Sequence, residues 1–178
     1  TAVSARLVKI STGPVVPGEV VVNVKAANAS SSPDVVTSYI ERQSGNVYSY
    51  STLSKSLTRT SNKTLPGIQS ASWLPSGDFA FVRYLSGTDF STINTYALPA
   101  NGAGGFFLPQ NLASIVVGGP TTSTSVLTTV SGVNGSSVSV SRTDGTHSSE
   151  IFTTPLSSIR VSFAGKNQYL AFTKPTAA

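Results

Sequence analysis

Three segments constrain this chain most. "IQSASW" (68–73), "LASIVV" (112–117) and "LSSIRVSF" (156–163) each open on leucine or isoleucine and run on as an apolar strand. They stand about forty-five residues apart, a period too long for a helical or coiled-coil register and too regular for unrelated strands. Second strands follow each after a turn, as "FAFVRYL" (79–85), "SVLTTVSG" (125–132) and "QYLAFTK" (168–174), with "VVTSYIER" (35–42) one period earlier. Third strands are "NVYSYST" (46–52), "STINTYAL" (91–98) and "SSVSVSR" (136–142), and fourth strands are "SLTRTSN" (56–62), "GGFFLP" (104–109) and "SEIFTTP" (149–155).

Two-residue alternation supports the strands, as in Val138 and Val140 against Ser139 and Ser141. No stretch of a dozen residues carries a helical apolar period, because Gly or Pro interrupts most windows of that length. Turns are marked by Ser44-Gly45-Asn46, Ser76-Gly77-Asp78, Ser86-Gly87-Thr88, Asn134-Gly135 and Asp144-Gly145, whose Gly and Asn residues tolerate positive φ. Four strands per unit at this period predict blades, small sheets that bury their faces only against neighbouring blades. The expected fold is all-β: a propeller or partial propeller of four-stranded antiparallel blades, about three complete and one split between the termini. It forms one domain over 1–178, with units at 12–62, 66–109 and 112–155 and a last unit at 156–178 completed by 1–11. "RLVKIS" (6–11) is the expected outer strand of that split unit.

The stretch Trp73-Leu74-Pro75-Ser76-Gly77-Asp78-Phe79-Ala80-Phe81 resembles the aromatic-Ser-Pro-Asp-Gly turn and following strand of bacterial β-propeller repeats, with Tol-system-like or WD-repeat-like blades. "GNVYSYSTLSKSLTRTSN" (45–62) is similar to the hairpin that follows it in such repeats. Asp and Gly are exchanged in Ser76-Gly77-Asp78, and Gly118-Gly119-Pro120 lacks the aromatic. The resemblance implies a fold and not a function, since one fold hosts many activities.

The chain has 178 residues, no cysteine and no methionine. A disulfide framework and a thiolate metal site are therefore excluded, and a processed product or a piece of a longer chain is expected. No apolar run is long enough to cross a bilayer as a helix, so no membrane insertion is expected. Few charges and abundant Ser and Thr point to an exported, extracellular or envelope protein. The net charge of +5 is spread along the chain, with only Lys55, Arg59 and Lys63 close together. Solvated, edge-protecting positions account for such residues, Arg83 included, and no nucleic-acid partner is expected.

Catalytic constellations are not evident. His147 lies in a polar Asp-Gly-Thr-His-Ser-Ser turn beside Ser148 and Ser149, where a nucleophile, an oriented base and an oxyanion pocket do not assemble from neighbours in sequence. Asp34, Asp78, Asp89 and Asp144 sit in turn contexts, and Glu19, Glu41 and Glu150 are isolated, so no carboxylate pair of a glycosidase is expected. There is neither a calcium-loop series of acids nor a phosphate loop, hence no metal and no cofactor is expected. Trp73 reads as a core anchor equivalent to Val117 and Phe163. Tyr48 and Tyr50, which share one strand face, are the candidate recognition pair. Asn28-Ala29-Ser30, Asn62-Lys63-Thr64 and Asn134-Gly135-Ser136 match the N-glycosylation pattern. The function expected is a non-enzymatic scaffold or interaction domain, partnered by another protein or by itself through open blade faces. The alternatives are a carbohydrate-binding module using Tyr48 and Tyr50 and a hydrolase with an unconventional site at His147 or Glu150.

Overall fold

The computed structural model describes residues 7–25, 32–119 and 125–173, which contain fourteen strands and no helix. β1 (Val20–Val24), β2 (Asp34–Ile40), β3 (Val47–Ser51) and β4 (Ser56–Arg59) form the first sheet. β5 (Ile68–Trp73), β6 (Phe79–Ser86), β7 (Thr92–Pro99) and the two-residue β8 (Phe106–Phe107) form the second. The third holds β9 (Leu112–Val117), β10 (Ser125–Gly132), β11 (Gly135–Arg142) and β12 (Ser149–Thr154), and the fourth only β13 (Arg160–Gly165) and β14 (Gln168–Phe172). Within each sheet the strands lie in chain order and every neighbour is antiparallel, so each is a meander.

The turns follow from their residues. At the β5–β6 turn Leu74 N donates to Phe79 O and Gly77 N to Leu74 O, both at 2.9 Å, with Gly77 at φ 78°. Gly132 pairs with Gly135, which leaves Val133-Asn134 as a two-residue hairpin turn. Gly135 has φ 115°, and a Cβ there would lie 2.0 Å from Thr154 O, so the position admits only glycine.

Three apolar clusters join the sheets in series. Val20, Ile40 and Val47 of the first sheet meet Ile68, Ala71, Trp73, Ala80, Val82, Tyr96 and Leu98 of the second. The opposite face of the second sheet, through Phe81 and Ala97, meets Ile115 and Val126 of the third, with Phe79, Phe106 and Val117 packed alongside. Leu127 and Val138 of the third then meet Val161 of the fourth, flanked by Phe163 and Tyr169. β6 shows the rule: Ala80 and Val82 turn one way and Phe81 the other, so both faces of the strand are buried and its sequence is almost continuously apolar.

A strap before β1 fastens the first sheet to the second. Val16 N donates to Ile40 O and Arg42 N to Pro14 O, while Ala71 N donates to Pro17 O, all at 2.9 Å. Trp73 Nε1 donates to Gly18 O at 3.1 Å. Trp73 is buried at the end of β5, and its cross-strand pairing with Ala80 parallels Val117 with Val126 and Phe163 with Tyr169.

The expected outer strand at 6–11 is corrected. Residues 7–11 form no strand, Leu7 and Val8 are exposed, and Arg6 lies outside the described residues. The first strand is instead β1, a β-branched run just after Pro17-Gly18. Among the described residues nothing from the N-terminal segment pairs with β13 or β14, and the fourth sheet stays two-stranded. Lys174, the expected end of its second strand, is also outside the described residues.

Candidate functional site

β3 alternates between two environments. Val47 points into the core, and Ser49 follows on the same side, where its hydroxyl meets Ser38 Oγ at 2.7 Å. Tyr48 and Tyr50 therefore share the opposite face, as their spacing predicts. Cross-strand neighbours complete this face. Tyr48 lies opposite Tyr39 on β2 and Arg59 on β4, and Tyr50 lies opposite Thr37 and Leu57. Val21 of β1 pairs with Thr37 and extends the face, with Val21 and Leu57 exposed.

The rings of Tyr39 and Tyr48 stack at 5.7 Å between centroids and 15° between planes. Tyr39 is buried, and that burial raises its phenol above the ordinary tyrosine range, with Tyr48 and Glu41 pushing the same way. Tyr48 thus has one ring face covered by its neighbour, whereas Tyr50 stands half-buried between small and aliphatic side chains. The stack depends on cross-strand register, which the strand's own alternation does not disclose.

The other candidates are taken up by the fold. Asp34 accepts from Ser51 Oγ at 2.6 Å, Thr52 Oγ1 at 3.2 Å and Leu53 N at 2.9 Å, which fixes the β3–β4 turn on β2. The Ser51 bond is the main reason its carboxyl is held below the usual carboxylate value. Asp89 binds Ser91, and Asp144 binds the hydroxyl and amide of Thr146; those side-chain bonds lower both acids. Thr146 Oγ1 gives its proton to Asp144 at 2.7 Å, so the 2.8 Å contact to His147 Nδ1 has the imidazole as donor. Ser149 Oγ donates to Glu150 O, and Glu150 in turn accepts from Ser137 Oγ at 2.9 Å. The described residues contain no group of three or more His, Asp or Glu that could hold a metal ion.

Of the one basic cluster, Lys63 leaves for the second sheet. Its Nζ lies 2.5 Å from Tyr96 Oη and 4.6 Å from that ring's centroid, while Lys55 stays in the β3–β4 turn. Arg83 departs from the expected solvated role: it is half-buried on β6, and burial lowers its guanidinium below the ordinary arginine value. A lone cation inside the apolar run "FAFVRYL" is the sequence signal for it. No helix among the described residues is long and apolar enough to cross a membrane.

No protein family matches the chain, and neither a curated protein nor a solved structure does.

Proposed function

We propose that this chain is an arc of a β-propeller that serves as a non-enzymatic interaction scaffold in an exported or envelope setting. The observation that carries the reading is the serial stack: among the described residues the second and third sheets are covered on both faces, the first and fourth on one. The first strands of the second, third and fourth sheets lie against one another in turn, β5 on β9 and β9 on β13, as strands around a common axis would. The outer face of the first sheet presents Val21, Tyr48, Tyr50 and Leu57, and that of the fourth presents Leu170 and Phe172. Each is half of an interface of the kind the chain makes internally. A protein partner, or a second copy stacking head to tail, covers them.

Light scattering over a dilution series tests this. Mass above one chain at high concentration, reduced by Phe172→Asp or Leu57→Asp, is the expected result of self-association; a monomer unaffected by concentration contradicts self-association. Carbohydrate binding is the second reading, favoured by the half-buried Tyr50 beside Thr37 on one sheet face. The Tyr39–Tyr48 stack weighs against it, because a sugar needs a free ring face. Millimolar glycans that leave Tyr50 unperturbed would remove it.

A further inference from the structure

Arg83 leaves the second sheet on the side that meets the third. It pairs across strands with Ser70 and Thr95, and it shares that face with Phe81. Its Nη2 donates to Leu112 O, which links β6 to the first strand of the next sheet. Its Nε is buried and has no hydrogen-bond partner among the described residues. Burial lowers its ionisation, and among the described residues no charged neighbour contributes. A half-buried cation gains from an opposite charge beside it, because its partial desolvation is costly unless such a charge offsets it.

The space beside it is shaped for such a charge. A cleft of about 230 Å³ is lined by Gln69, Ser70, Arg83, Tyr84, Leu85 and Ile93. Ser70, paired with Arg83, brings a hydroxyl to the guanidinium's side. Leu85 and Ile93 pair with each other one step along the same face and make an apolar wall. Gln69 falls at the irregularity where the β5–β6 register shifts, and its Oε1 accepts from the exposed Arg42 Nη2 at 3.3 Å. We infer that this cleft binds a carboxylate whose substituent is small and apolar, with the anion on Arg83 and the substituent against Leu85 and Ile93. A carboxylate fits better than a phosphate because one inner cation stands directly beside an aliphatic wall, and the volume is small. The site does not depend on whether the sheet stack closes or associates.

The test is a titration of the whole chain with isovalerate, followed by backbone amide shifts in NMR spectra, with isovaleramide as the neutral isostere. Saturable shifts at Ser70, Arg83 and Ile93 are expected, with a Kd of roughly 1–10 mM, the range open to so small a ligand. Isovaleramide should bind at least about tenfold more weakly, since it lacks the charge. Arg83→Met should abolish saturation, and Arg83→Lys, which keeps charge but loses the fork, should weaken it several-fold. The acid-against-amide contrast needs no variant, so it decides the matter even if a substitution disturbs the link to Leu112. Equal binding of acid and amide, no saturation by roughly 100 mM isovalerate, or an unchanged Kd in the Lys variant would each overturn the inference.

Discussion

The second and fourth sheets are built from the same strand–turn–strand unit and differ in what surrounds it. In β6 successive residues reach opposite clusters, Ala80 and Val82 toward the first sheet and Phe81 toward the third. In β14 Tyr169 packs against the third sheet, but Leu170 and Phe172 are 58% and 52% exposed. Alternating apolar residues on both faces of a strand thus require two neighbours, and among the described residues the fourth sheet has one. The difference locates the unsatisfied surface at the ends of the stack.

The largest expected effect separates these sheets directly. Phe81→Ala, at a site only 1% exposed, should lower stability by about 3–5 kcal/mol in urea unfolding at low protein concentration. Phe172→Ala should change it by no more than about 0.5 kcal/mol under the same conditions. Equal losses would abolish the distinction.

Gly135→Ala comes next. Its positive φ and the 2.0 Å approach of the new Cβ to Thr154 O force the β10–β11 hairpin off β12, at a cost of about 1–3 kcal/mol. A neutral substitution would show that the third sheet yields at this turn.

Trp73→Phe sharpens the strap's role. It keeps most of the ring volume but loses the bond to Gly18 O, and about 0.5–1.5 kcal/mol is expected. A loss as large as that of an alanine would place the weight on ring packing.

Asp34 gives the smallest effect and concerns the first sheet alone. Its folded-state carboxyl is held low, so the stability it contributes is present above the ordinary aspartate value of about 3.9 and is lost as pH falls through the lower folded value. Melting temperature should therefore fall on acidification in that window, and Asp34→Asn should flatten the fall. An identical acid profile in the variant would assign the pH dependence elsewhere.

Much of this arrangement is legible in the sequence because turns and alternation are local. Ser76-Gly77-Asp78 and Asn134-Gly135 mark hairpins by their own backbone preferences, and Tyr48 and Tyr50 share a face by spacing alone. β1 is not among the expected strands, and the strap of Pro14 to Gly18 that leads into it is set by bonds to the first and second sheets that local sequence does not show. The Tyr39–Tyr48 stack depends on how the loop between Glu41 and Asn46 sets the β2–β3 register. Arg83 reads as solvated because charge usually is, and only the approach of the third sheet encloses it.

Native-state hydrogen exchange, resolved by strand at low protein concentration, is the most direct test of the unequal burial. Amides of β6 and β7 should exchange only through global unfolding, while those of β13 and β14 should open at a lower free energy and gain protection as concentration rises. Protection of β13 and β14 equal to that of β6 and β7 at every concentration would contradict the account.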